Sequence, residues 1–225
     1  MIMNYMGKNG AILAGFALVT TSLIAITFAG TKERIQFEQE KQLLSILNEL
    51  VPEQAHTNEL HLDCIRVNAP ESLGSNQDKR IFRARINENN VAAVIETSAP
   101  NGYSGEMKMV VAVSFDGTSL GARVVWHKET PGLGDKVDLR VSDWILSFAN
   151  VPFSGEGDNR WQVKKDGGQF DQFTGATITP RAVVQAVKNT LIYYNANRDM
   201  IFNTPSNCAS SITSNSSENE ALANE

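Results

Sequence analysis

Three patterns of hydrophobic and polar positions follow one another along the chain. Residues 9–31 contain no charge, and the centre, 11–29, is dense in Leu, Ile, Ala, Val and Phe. About 20 apolar residues in a helix cross the hydrocarbon of a bilayer, so this run predicts a membrane-spanning helix. Residues 31–50 continue with helical spacing, Ile35, Leu43, Leu44, Ile46, Leu47 and Leu50 forming a stripe among Lys, Glu and Gln until Pro52 closes the run. Beyond Leu60 the period falls to two, and strands are predicted at 60–67, 81–86, 91–97, 107–115 and 120–128, the clearest alternation being Met107, Met109, Val111, Val113 and Phe115. Asp116-Gly117 predicts a hairpin between the last two. A helix starting at Ser142 carries Trp144, Ile145, Leu146 and Phe148, and 161–165 reads as a short strand ended by the turn Asp166-Gly167-Gly168. The final helix runs through Val183, Val184, Val187, Leu191 and Ile192 to Asn195, with Thr179 as its N-cap and Pro180 as its first residue. Strands followed by helices, rather than alternating with them, indicate an α+β domain with a largely antiparallel sheet and flanking helices.

The resulting organisation is a short leading segment (1–8), an anchor (9–31), a membrane-proximal helix (32–52), one domain (53–203) and a polar, Ser-, Asn- and Glu-rich tail (204–225) expected to be disordered. With 225 residues and 42% hydrophobic content the chain can bury one good-sized core. A net charge of -5 argues against a nucleic-acid partner, which needs a basic face. The short basic clusters Lys79-Arg80 and Lys164-Lys165 read as solvated strand ends. A cleaved leader would have a shorter apolar region, about 7–15 residues, and an A-x-A-like site. Only Thr27-Phe28-Ala29 is present, which favours a retained anchor. Lys8 lies before the span and Lys32 and Arg34 after it, a bias that by itself would leave the domain in the cytoplasm.

The chemistry concentrates in Phe173-Thr174-Gly175-Ala176-Thr177-Ile178-Thr179-Pro180, a narrow hydroxyl-bearing turn set against a helix start. Free N–H groups and partial positive charge at such a start favour a phosphate just ahead of it. Taken alone, the same text reads more simply as an ordinary capped helix. The longer text, Asp166-Gly167-Gly168-Gln169-Phe170-Asp171-Gln172-Phe173 followed by TGATIT, resembles the flavinylation motif, (S/T)GAT, of the FMN-binding domain family. Gly102-Tyr103-Ser104-Gly105, the block from His127 to Lys136 (HKETPGLGDK), Ser142-Asp143-Trp144 and the N-terminal hydrophobic segment extend the likeness over nearly the whole chain. Within the family the match is to G subunits of Rnf-type electron transport complexes.

The resemblance implies FMN joined as a phosphoester to Thr177, with Thr174, Gly175 and Ala176 shaping the turn. It further implies that His127, Glu129, Thr130, Gly132, Leu133 and Gly134 line the isoalloxazine, Glu129 and Thr130 near its polar edge. Thr177 is then an attachment point, not a catalyst, and the chain an electron-transfer subunit rather than a stand-alone enzyme. The implied setting is a single-pass protein of a bacterial inner membrane, its domain on the periplasmic side, in a complex linking ferredoxin and NAD to ion movement. Its implied partners are the other subunits and, for maturation, a flavin transferase. The C subunit of a sodium-translocating NADH:quinone reductase, which shares the motif, is the alternative within this class; a non-redox anchored binding or scaffold module is the alternative outside it. A hydrolase built on Thr177 or Thr179 with His127 lacks nucleophile-elbow spacing. His56 and His61 have no Cys pair at metal-ligand spacing and read as surface residues, so no metal site is expected. Cys64 and Cys208 are too few for an iron–sulfur cluster. Outside the cytoplasm two cysteines form a candidate disulfide, although Cys64 also reads as a small buried hydrophobe within a strand.

Overall fold

The computed structural model describes residues 2–208, so most of the tail expected to be disordered lies outside the described residues. The chain divides into two units, one before Ile46 and one from Ile46 onward, and helix α1 (Ile2–Leu50) contributes to both. In the first unit α1 is, among the described residues, the one helix long and apolar enough to cross a membrane. Leu13, Phe16, Leu18, Ile24 and Ile26 are all exposed along it. Its hydroxyls are satisfied internally: Thr20, Thr21, Thr27 and Thr31 each donate to the carbonyl four residues back, at 2.7–2.9 Å. That is how a polar side chain avoids an unmet hydrogen bond in hydrocarbon.

In the second unit five strands, β1 (Cys64–Val67), β2 (Lys79–Ile86), β3 (Asn89–Gly102), β4 (Gly105–Ser114) and β5 (Ser119–Trp126), form an antiparallel sheet in chain order. The α+β class with an antiparallel sheet is therefore as the sequence pattern indicates. The pairings Ile81↔Ile95↔Val111↔Ala122 put one set of side chains on one face, and Phe82↔Val94↔Ala112↔Gly121 put the alternate set on the other. The first face forms the main core with α3 (Ile178–Asn203), which packs across β3 and buries Val183, Val184, Val187, Leu191 and Tyr194. Against the second face lies Leu50, beside Gly121, and Glu49 pairs with Arg123 at 2.6 Å. A short helix α2 (Pro70–Leu73) links β1 to β2.

Several local expectations change. The helix beginning at Ser142 is a 3₁₀ run, Asp143–Phe148, in which Ser142 accepts from the Trp144 N–H. Residues 161–165 are not a strand: Val163 alone bridges to Phe170, and Lys164–Asp166 form a 3₁₀ turn because the chain doubles back at Gly167-Gly168 before a ladder can grow. Lys79 is no solvated strand end. It is 6% exposed, its ammonium donates to Ser98 Oγ at 2.7 Å, and burial pushes its pKa down. Arg80 is held by Glu96 at 2.8 Å.

The C-terminal end of α3 is capped from the sheet. Arg83, 3% exposed, donates to the carbonyls of Ile201 and Thr204, and Arg85 donates to that of Phe202, while Asp63 accepts from both guanidinium groups. Cations at the negative end of a helix dipole are favourable, and here they also satisfy its last carbonyls. Residues 204–208 are not loose, contrary to expectation. Ser206 and Asn207 bond the edge strand β1 at Cys64 and Arg66, and Cys208 is joined to Cys64 as a disulfide with Cα atoms 5.6 Å apart. The bridge spans a sequence separation of 144, and a loop of that length corresponds to about 5 kcal/mol at most on a chain-entropy model. Cys208→Ser is accordingly expected to lower unfolding stability by about 2–5 kcal/mol. Alkylation of the denatured, unreduced protein from membranes is expected to label neither cysteine; two labelled thiols would contradict the bridge.

Candidate functional site

The site is assembled where α3 begins. Phe173 anchors the approach, 7% exposed and edge-on to Trp144 with ring centroids 5.1 Å apart, and the Trp144 indole N–H donates to the Asp171 carbonyl at 2.8 Å. Residues 173–176 then form a tight turn closed by Ala176 N–H to the Phe173 carbonyl at 3.1 Å. Its third residue is Gly175 with φ +81, a backbone region other residues enter at a cost. Thr174 and Gly175 are exposed, and Ala176 and Thr177 are half-buried.

The helix starts two residues earlier than its sequence signal. Thr177 occupies the N-cap position with φ -75 and ψ -20, already helical, and its side chain makes no cap bond. Thr179, the expected cap, is fully buried in the first turn, and its hydroxyl donates to Glu129 Oε2 at 2.6 Å. A carboxylate fifty residues away in sequence has taken the hydroxyl that local preference assigns to the backbone. The N–H groups of Ile178 and Thr179 precede the helical ladder, and Pro180 has none to offer. Among the described residues no hydrogen bond reaches those two amides or Thr177 Oγ1. Arg181, in the same turn, grips Asp166 through two bonds of 2.6 Å and holds that carboxyl below its usual range.

The second loop follows β5. Leu133 N–H donates to the Thr130 carbonyl at 3.1 Å, making a turn with Pro131 and Gly132 at its corners; Gly132 has φ +77. Thr130, Pro131 and Gly132 are all exposed. Leu133, 45% exposed, stands beside Gly175, its Cδ2 3.9 Å from where a Cβ would project. Glu129, 5% exposed, points inward: Oε1 accepts from Ser104 N–H at 2.9 Å and Oε2 from Thr179. Gly134 permits this, since a Cβ there would lie 2.5 Å from Glu129 Oε2 and 2.8 Å from Thr179 Oγ1. His127 Nδ1 accepts from the Glu129 N–H at 3.1 Å, which leaves the ring proton on Nε2, 3.4 Å from Asp138 Oδ2. Burial would raise the Asp138 pKa, but hydrogen bonds from Arg140 and His127 hold it below the usual carboxylate range.

The structure thus brings the turn at Thr174–Thr177 and the loop from His127 to Gly134 together, with Glu129 as the knot between them. Both Glu129 oxygens are engaged within the protein rather than presented at a polar edge. The 26 residues of α3 extend about 39 Å, which places the cysteine pair remote from this site. Sequence reasoning missed Asp138 and Arg140, which carry no motif, and misassigned Thr179; the Gly102-Tyr103-Ser104-Gly105 block was the available signal for Ser104.

Comparison with known proteins gives the frame. The FMN-binding domain model matches residues 102–192, and the RnfG N-terminal region model matches residues 1–50. The chain is 54% identical over 207 residues to the G subunit of the ion-translocating oxidoreductase complex of Pseudoalteromonas atlantica, covering 92% of this chain and 96% of that one. It is 50% identical to the corresponding G subunit of Vibrio atlanticus, covering 92% and 99%, and 49% identical to that of Vibrio cholerae, covering 89% and 96%. The chain belongs to the family of these G subunits. Membership of that family, reinforced by its N-terminal region, sets aside the reading as the C subunit of a related reductase. As a G subunit with an FMN-binding domain it has FMN as its cofactor. The residues fit that group. Two unpaired amides and a free hydroxyl at a helix start suit a phosphate, and two narrow turns flanking the exposed Leu133 suit a flat ring.

Gly134→Ala is expected to break the Glu129–Thr179 contact and cost about 1–3 kcal/mol, with faster hydrogen exchange at the Ser104 amide. Gly132→Ala, strained only by its positive φ, should cost about 1–2 kcal/mol and leave that amide protected. A folded-state pKa held down means Asp138 contributes stability above its unfolded value, and that stability is lost as pH falls through the folded one. Arg140→Ala removes the main opposing donor, so acid unfolding should begin at higher pH than in the parent protein when urea midpoints are compared between about pH 5 and pH 2.

Proposed function

We propose that this chain is a membrane-anchored electron-transfer subunit of an ion-translocating oxidoreductase complex whose FMN is held as a phosphoester on Thr177. The observation that carries the attachment is the free Thr177 hydroxyl: it stands at the helix start without capping it, beside two unpaired amides. The neighbouring hydroxyl that could compete, Thr179, is buried and engaged. The new bond joins Thr177 Oγ1 to the FMN phosphorus, with loss of one water relative to free FMN. A flavin transferase drives it by breaking the phosphoanhydride of an activated flavin nucleotide, whose nucleotide part leaves while the hydroxyl proton passes to solvent. FMN supplies one- and two-electron chemistry. The chain holds the cofactor in place, and a tether keeps the ring at high effective concentration in its site.

The domain is placed on the periplasmic side of an inner membrane. Support comes from the Cys64–Cys208 disulfide, which persists in an oxidising compartment, and it outweighs the weak charge bias around Lys8, Lys32 and Arg34. A cofactor lost from a domain so placed is not readily replaced, which gives the covalent link a purpose.

Mass mapping of protein made with the transferase is expected to find FMN less one water on the peptide containing Thr177. Thr177→Val should abolish flavin fluorescence on a denaturing gel, and Thr177→Ser, which keeps the hydroxyl, should be partly labelled. A fluorescent Thr177→Val band would overturn the attachment.

A further inference from the structure

We propose that Glu129 is a positioning residue for the modification of Thr177, because it selects between two possible starts of α3. This rests on Thr177 as the attachment point. One start is written in the local sequence: Thr179 followed by Pro180 is a strong N-cap and first-residue pair, and a helix begun there would fold the Thr179 hydroxyl onto its own first-turn amides. The other start is the observed one, at Ile178. It exists with the Thr179 hydroxyl removed from capping and bonded to Glu129 Oε2 at 2.6 Å, in a fully buried position. The two starts cannot coexist, since the same hydroxyl serves both.

The choice has a chemical consequence at Thr177. In the observed start Thr177 takes the N-cap position, its hydroxyl unbonded and the amides of Ile178 and Thr179 open. In the Thr179-capped start those residues fall outside the helix, and the hydroxyl loses both the positive end of the dipole and the adjoining amides that would steady an incoming phosphoryl group. Glu129 can enforce the choice because it is itself fixed. Its other oxygen accepts from Ser104 N–H at 2.9 Å, and Gly134 and Gly102 leave room for the carboxylate where a Cβ would crowd it. The group transfer is the one given above: the Thr177 O–P bond forms, the phosphoanhydride of the flavin donor breaks, and the hydroxyl proton goes to solvent. Glu129 touches none of the reacting atoms.

The test uses full-length protein made without the transferase, purified in detergent, and then given transferase and its flavin donor at a temperature well below each variant's unfolding midpoint. Glu129→Ala is expected to slow labelling of Thr177 about ten-fold, the scale of an N-cap preference. Glu129→Gln should restore most of it, since the amide can accept from Ser104 N–H and donate to Thr179 Oγ1. The decisive variant is Glu129→Ala with Thr179→Val. Valine cannot cap, so the competing start is removed, and labelling should recover to within about three-fold of the parent protein. Parent-like labelling of Glu129→Ala would overturn the proposal, and so would a double variant as slow as the single one, because a merely structural role would not be rescued by a second loss. Flavin retained by Thr177→Val would instead overturn the attachment itself.

Discussion

The buried carboxylate of Glu129 is the contact on which the site depends. It joins three segments that share no local sequence: the tip of the β3–β4 hairpin through Ser104, the loop after β5, and the first turn of α3 through Thr179. A buried carboxylate is costly unless its oxygens are satisfied, and removing a single partner leaves that cost exposed. The position is also electrostatically favourable, since the first turn of a helix presents its positive end. The same constraint explains the glycines around it, for Gly134 and Gly102 approach so closely that no larger residue leaves the carboxylate in place.

Helix α3 is fixed at both ends by long-range polar contacts and along its length by apolar packing. At the start it is held by Glu129 and by Arg181 with Asp166. At the far end Arg83 and Arg85 take up its last carbonyls, with Asp63 balancing their charge. Between them Val183, Val187 and Leu191 are buried against the sheet. The chain then returns to β1, an outer strand of the sheet, where Ser206 and Asn207 occupy main-chain groups that an unpaired edge would leave open. Cys208 closes that return. A helix pinned in this way gives the Thr177 hydroxyl at its start a fixed position.

His127, Asp138 and Arg140 form a second polar chain behind the loop. The His127 ring receives the Glu129 amide on one side and faces Asp138 on the other, so it braces the main chain at the residue whose side chain ties the site. Arg140 is largely exposed while Asp138 is buried, an arrangement that neutralises an interior charge from the surface.

The long apolar helix, the five strands, the Asp116-Gly117 hairpin and the turn at Gly175 are legible in the sequence by itself. Each follows from a short-range rule: an uncharged apolar run, a period of two, a glycine where φ must be positive. The family is legible as well, because its blocks lie in contiguous text. Composition alone misreads the start of the polar tail, and only the candidate pairing of Cys208 with Cys64 hints that β1 will receive it. The fate of residues 161–165 and the burial of Lys79 likewise depend on which segments meet them. Most of all, the start of α3 is decided outside its own sequence. Thr179-Pro180 states a local preference worth about 1 kcal/mol, and a buried carboxylate brought there by the fold offers that hydroxyl a stronger bond. Local chemistry set the elements; the long-range contact of Glu129 with Thr179 decided which threonine stands free.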